Sequence, residues 1–428
     1  LVNGDGPTVG EAIADNPEQP TFQNTIVAME KSGQLLGRAR SVFGNLVGTD
    51  KTDARDKLQT EYAPKFSAHN DAIALNPKLF ARIKALYDQR DALGLDAIDR
   101  RLLEKRYEDF VRAGAALSEA QKARIREINT EMSKLGTQFN KNVLAEVNDS
   151  AIVVDSRDEL KGRSEEQTAA AAEAAKARKL DGKYVIALLN TTGQPAEAQL
   201  ENRALRERLY RASVARGSRG NQWDNTAIVS QVLKLRAERA KLMGYDTSAN
   251  FVLADETAAN QDNVNKMLRQ LAPAAVANAR REAGDLQAMI DAEQKVKGQP
   301  SFQLAPWDWS YYSEKVRQAK YSFDESQLKP YFEMKNVLEN GVFFAANKLY
   351  GISFKARPDL PKYHPDTWVY DVFDKDGQRL AIFIFDPYAR DSKRGGAWMN
   401  TYVSQSALLG EKPVVANHLN IPKPSEGK

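Results

Sequence analysis

Three histidines, His69, His364 and His418, are the side chains of this 428-residue chain best suited to proton transfer or metal ligation near neutral pH. None has a second histidine three or four residues away, the spacing that sets two ligands on one helix face, and HExxH does not occur. A zinc site built by this chain alone is therefore not expected. His69, in "FSAHNDAIALNP", falls near a helix end and reads as a capping or surface residue; His364, in "KYHPDTW", precedes a proline and reads as a turn residue. Cysteine is absent, which removes disulfides, thiolate nucleophiles and thiolate metal ligands together. GxSxG, the Walker loop and GxGxxG are also missing, so serine hydrolysis and nucleotide binding lack their usual cradles. Acidic residues are plentiful but do not pair in an apolar setting, and "SEEQTAAAAEAAK" (164–176) reads as a solvated helix. The aromatic run "PWDWSYY" (306–312) could stack a ligand, but in a helical protein it reads as packing.

What remains is "SKRGGAWMNTYV" (392–403), a glycine pair running into an alternating strand. Two readings fit it. The pair can be an ordinary bulge, or it can open an edge strand that takes an extended peptide by main-chain hydrogen bonds, with glycine letting the ligand backbone come close.

The elements that would position this strand are mostly helical. Over 21–144 the apolar residues recur at helical spacing, as in Leu79, Phe80, Ile83 and Leu86, with breaks at "GTDKTD", "LNPK", "LGLD" and "ALSEA". This predicts a stack of antiparallel helices. "AIVVD" (151–155) and "YVIALL" (184–189) predict a small strand pair around a helix over 164–180. Helices resume over 221–243, 260–297 (kinked or divided at Pro273), 306–319 and 330–349. After Gly351 the texture changes: 367–373 and 380–385 form a hairpin around "DKDG", and 396–403 and 413–420 add two strands, a sheet of about four. The fold class is mostly α with a small β-sheet near the C-terminus, divided into a helical region over 1–350 and a sheet region over 351–428.

Charge narrows the partners. With 61 Lys and Arg against 57 Asp and Glu, interspersed along the helices, no basic block marks a nucleic-acid binder. No apolar run is long enough to span a bilayer. The chain opens at Leu1 without a basic and apolar leader, which leans towards the cytoplasm, with the periplasm as the alternative.

The stretch "YHPDTWVYDVFDKDGQRLAIFIFDPYARDSKRGGAWMNTYV" (363–403) resembles the M3 family of zinc peptidases, in its bacterial peptidyl-dipeptidase branch. "NPEQPTFQNTIVAMEKSGQLLGRARSVF" (16–43), "LLNTTGQPA" (188–196), the run 306–354 from "PWDWSYY" to "LYGISF", and "KPVVANHLNIPKP" (412–424) are similar to the same family in the same order. The resemblance implies a helical peptidase with a deep substrate channel, releasing C-terminal dipeptides from short oligopeptides. In the family, HExxH and a later carboxylate hold one zinc beyond the strand that resembles "PVVANHLNIPKP". This chain would then be an N-terminal part, incomplete and inactive alone, with no catalytic residue and no metal ligand of its own, and with its own C-terminal catalytic half as partner. The groups that capture the substrate carboxylate are expected largely beyond residue 428. The resemblance also implies that Gly395, Gly396, Ala397, Trp398 and Met399 align the substrate backbone, so that Gly396→Val should lower turnover more than stability. The alternative is a non-catalytic peptide-binding relative.

Overall fold

The computed structural model describes residues 9–189, 192–322 and 328–423. Five helices open the chain after short helical turns: Gln34–Thr49 (α1), Asp53–Ala74 (α2), Pro77–Asp88 (α3), Ala97–Ala113 (α4) and Glu119–Asp149 (α5). They begin where the sequence breaks because a polar side chain waits there. Thr52, Asn76, Asp96 and Ser118 each accept hydrogen bonds from backbone N–H groups of the first turn, which otherwise lack partners. The apolar faces of α3 and α4 then meet: Leu79, Ile83 and Leu86 pack with Leu103 and Phe110, and Phe22 and Ile26 close the cluster.

The strand pair around a helix is present as Ile152–Val154 (β1), Glu165–Ala177 (α6) and Tyr184–Ile186 (β2), antiparallel with Ile152 opposite Ile186. It forms a second core with Leu200, Leu205 and Leu209, the last two from Arg203–Val214 (α7). Thr226–Leu242 (α8) follows. Gln261–Val296 (α9) is one helix of 36 residues with Pro273 inside it, so of the kink or division expected there the division does not occur. Pro273 is exposed, so the carbonyl its ring leaves unpaired faces water and the break costs less than it would in a core. Tyr311 and Tyr312, on Trp309–Tyr321 (α10), are buried against Leu286 and Ile290 of α9, so the aromatic run serves packing there.

The C-terminal sheet has five strands: Ser353–Ala356 (β3), Trp368–Phe373 (β4), Arg379–Tyr388 (β5), Trp398–Val403 (β6) and Val414–Ile421 (β7). β3 was not foreseen, being four residues long and mostly exposed, with little alternation to read. The order is β3-β4-β5-β7-β6, with β5 and β7 parallel and the other pairs antiparallel. One face packs on Leu338 and a stack of aromatics, with Phe343 and Phe354 centred 3.8 Å apart. Because β7 slots between β5 and β6, the chain leaves β5, crosses to the far edge, lays down β6 and returns. The crossing segment, 389–397, must be tied down by something other than strand pairing.

Candidate functional site

Asp386 ties it. This aspartate sits in β5 at the end of the apolar run "IFIFD", fully buried. Arg390 grips both carboxylate oxygens at 2.8 Å, Tyr363 donates its hydroxyl at 2.7 Å, and Lys393 Nζ lies 3.1 Å away. His418 of β7 brings Nδ1 to 3.4 Å. Burial by itself would raise the Asp386 carboxyl, but hydrogen bonds from Arg390, His418 and Tyr363 outweigh it and hold the group well below the usual carboxylate range. The Lys393 side chain is itself fully buried and donates to the carbonyls of Asp386 and Tyr388 at 2.8 and 3.0 Å. Burial pulls its ammonium down to about 8, against the opposing pull of Asp386.

The same segment caps α1. The last carbonyls of a helix lack intrahelical partners; here Gly48 accepts from the Arg394 N–H at 2.9 Å and Thr49 from Arg390 Nε at 2.8 Å. Lys51 N–H in turn donates to the Ser392 carbonyl at 2.9 Å, and Asn45 reaches the Tyr402 hydroxyl of β6. From β7, Asn420 Nδ2 holds the carbonyls of Arg394 and Gly396 at 3.0 and 2.6 Å. The first helix, the sheet and the glycine turn are thus one hydrogen-bonded unit.

β6, so held, is an edge strand: among the described residues it pairs with β7 alone. At its glycine end a cleft of about 490 Å³ opens between α1, α5, the residues after β2, and 390–396. The five residues singled out in the sequence divide. Gly395 and Gly396 line this cleft. Trp398 turns into the sheet, its ring stacked 4.8 Å from His418 and covered by the Arg394 guanidinium at 4.2 Å. Met399, next along the strand, is 80% exposed, and Ala397 is an exposed link between turn and strand.

The two glycines also differ. Gly396 has φ +93, which side-chain-bearing residues rarely adopt, and a Cβ there would meet nothing within 4 Å. That angle starts the strand at Trp398 instead of 396, and it means Gly396→Val strains the backbone itself, so stability falls along with any effect on a ligand. Gly395 carries no such angle; a Cβ there would touch Leu189 Cδ2 at 3.5 Å, an ordinary contact.

Asp386, Arg390, Lys393 and His418 were not singled out as a group by sequence reasoning. The signal was an aspartate closing a continuous apolar strand with an arginine four residues on. His364 stays in its turn, its Nδ1 accepting the Asp366 N–H at 3.3 Å. Among the described residues no three His, Asp or Glu side chains gather where a metal ion could be held.

A helical body joined to a small five-stranded sheet, with the edge strand β6 opening on a cleft, defines the class: a mostly α protein with a small β-sheet near its C-terminus. Residues 197–428 match peptidase family M3, and the chain belongs to this family. It is 43% identical over 417 residues to dipeptidyl carboxypeptidase of Escherichia coli K12, covering 97% of this chain and 60% of that protein. The dipeptidyl carboxypeptidase of Salmonella typhimurium LT2 is 41% identical, covering 98% of this chain and 61% of that protein. Oligopeptidase A of E. coli K12 is 32% identical, covering 95% and 60%. The chain therefore spans about 60% of the length of these relatives.

Proposed function

We propose that the protein is a zinc metallopeptidase releasing C-terminal dipeptides from short oligopeptides, and that residues 1–428 supply its substrate channel and peptide-aligning strand. The observation that carries this reading is β6: an edge strand, entered through Gly395 and Gly396, with a cleft at the same end. Likeness to two proteins named dipeptidyl carboxypeptidase supports the exopeptidase choice. The described residues do not offer a zinc donor set, so the metal and its chemistry are assigned to residues outside them and no step is derived through it.

The contribution of this chain is positional. An extended peptide adds to the free edge of β6 through main-chain hydrogen bonds, which accept any sequence. Fixing the peptide in one orientation removes much of the entropy cost of bringing its bond to the reacting groups. In this reading 1–350 walls the channel and 351–428 presents the strand. No helix among the described residues is long and apolar enough to cross a membrane; the cytoplasm is the proposed location, with the periplasm as alternative, and cell fractionation decides.

The test is product analysis. The full-length protein is incubated with unblocked peptides of about ten residues and the products are read by mass spectrometry. Dipeptides leaving from the C-terminus are expected; cuts scattered through the peptide would replace the peptidyl-dipeptidase reading with an endopeptidase one, and intact peptide would leave the non-catalytic peptide binder.

A further inference from the structure

A second cavity, of about 830 Å³, lies between the start of α7, the end of α9, the loop that follows it and α10. It shares no lining residue with the cleft beside β6. The cations Arg203, Arg206, Lys297 and Lys315 line it. Arg203 and Arg206 share one carboxylate, the buried Asp308; Lys297 and Lys315 share a second, Glu293, with Lys315 at 3.3 Å. The remaining lining carboxylate, Glu201, is held by Lys161 at 3.2 Å. Four positive charges therefore answer two negative ones, and the cavity carries a surplus of two.

The cavity also holds unused donors. Tyr312 is 2% exposed and Gln294 6%, both line it, and neither side chain makes a hydrogen bond among the described residues. Buried polar groups are nearly always paired, so two that meet only a cavity mark it as built for a polar occupant. Burial, helped by the Glu293 carboxylate, pushes the Tyr312 hydroxyl up to about 12, so it keeps its proton and can donate near neutral pH. Arg203 spends Nε and Nη2 on Asp308 and leaves Nη1 without a partner among the described residues. The aromatic walls serve the cations: Arg203 lies 4.1 Å over Phe302, and Arg206 and Lys315 lie 4.1 and 5.0 Å over Tyr311. With those ring faces taken, recognition of an occupant falls to charge and hydrogen bonds.

A surplus of two charges, with an arginine, two ammonium groups, a hydroxyl and an amide lining one space, suits a dianion rich in acceptor oxygens. A phosphate monoester is such a group: near pH 7 it carries about 1.5 to 2 negative charges and offers three strong acceptors. The volume lies in the range of small-molecule sites and exceeds what a bare phosphate fills, leaving room for the organic part of an ester. We propose that this cavity binds a phosphate dianion carried by a small phosphomonoester. The inference goes beyond peptide cleavage and does not rest on the peptide-aligning reading of β6.

The test is calorimetry on the full-length protein at about pH 7.5, where a monoester is a dianion. The probes are glucose 6-phosphate, inorganic phosphate, glucose, and dimethyl phosphate, a diester of single charge. Glucose 6-phosphate is expected to bind with a Kd of about 1 mM or tighter, about tenfold or more better than dimethyl phosphate, and glucose is expected not to bind. Inorganic phosphate separates the two sources of the dianion: weaker binding than glucose 6-phosphate supports the ester, and equal or tighter binding assigns the cavity to free phosphate and overturns the ester. Glu293→Gln raises the surplus to three and should tighten glucose 6-phosphate severalfold, a gain that misfolding cannot produce. Lys297→Gln with Lys315→Gln should weaken it by about tenfold or more, and Tyr312→Phe, which keeps the packed ring, by about threefold. A wild type that takes up neither glucose 6-phosphate nor inorganic phosphate at about 10 mM, a diester that binds as well as the monoester, or a Glu293→Gln variant that binds no tighter overturns the proposal.

Discussion

Asp308 and Asp386 are both fully buried carboxylates, and each is gripped by two cations, yet they are built for different ends. Asp308 has arginines as its side-chain partners, Arg203 at 2.8 Å and Arg206 at 2.9 Å, and accepts the Ala305 N–H at 3.1 Å; Arg206 also donates to the carbonyls of Leu200, Glu201 and Trp307. It clamps α7 to the start of α10, away from the β6 cleft, with partners whose charge never leaves in the accessible pH range. Asp386 takes an arginine, a lysine, a tyrosine and a histidine, and the segment it clamps carries the edge strand. One clamp is a fixed staple between helices; the other holds the edge strand β6 and includes a member that titrates.

The largest expected effect tests whether that difference is real. Asp308→Ala and Asp386→Ala should each cost about 3–5 kcal/mol, because each strands buried cations without a counter-charge; urea unfolding checks this. The two should part in native conditions. Asp386→Ala should raise hydrogen exchange over 389–403 and weaken peptide binding, whereas Asp308→Ala should leave both unchanged. Equal loss of peptide binding in the two variants would dissolve the comparison.

How much of this was legible follows from where the signals sit. Helix boundaries could be read because caps are local: Thr52, Asn76, Asp96 and Ser118 act within three residues of themselves. The order β5-β7-β6 could not be read, since nothing in 389–413 says which side of β7 the chain returns on. The Asp386 clamp was hidden for the same reason: Tyr363 and His418 lie 23 and 32 residues from it, and only the fold brings them together. β6 was visible as a strand from its alternation; an edge position was one of the two readings its glycine pair allowed, and the sheet order decides it.

The next effect concerns the titrating member. Lys393 is held down to about 8 by burial, below its ordinary value of 10.5. The native state therefore sheds this proton before the unfolded chain does, so the lysine penalises folding below about pH 8 and the penalty is relieved as pH rises to about 10.5. Lys393→Met removes this dependence but leaves the carbonyls of Asp386 and Tyr388 without their donor. The stability gap between wild type and variant should thus move in favour of the wild type by on the order of 2–3 kcal/mol between pH 8 and 10.5, read from urea midpoints at a series of pH values. No such drift should separate wild type from Arg203→Met at the arginine clamp, and a drift of equal size there would show that the two clamps do not differ as described.

The smallest effect asks what the Asp386 clamp is for, and the two glycines answer it separately. Gly396→Ala meets no neighbour but must adopt φ +93, so it should cost about 1–2 kcal/mol of stability. Gly395→Ala has an ordinary backbone and an ordinary contact at Leu189, so its stability should change by less than about 0.5 kcal/mol. If the clamp exists to present β6 to a peptide, the added methyl of Gly395→Ala stands in the cleft where a ligand backbone approaches, and peptide binding should weaken severalfold with the melting temperature unmoved. If the clamp only closes the sheet, Gly395→Ala binds peptide like the wild type, and Gly396→Ala loses stability without any change in affinity for the folded protein. The Gly395 result is the sharper of the two, because there access to the strand is separated from the strain of the turn.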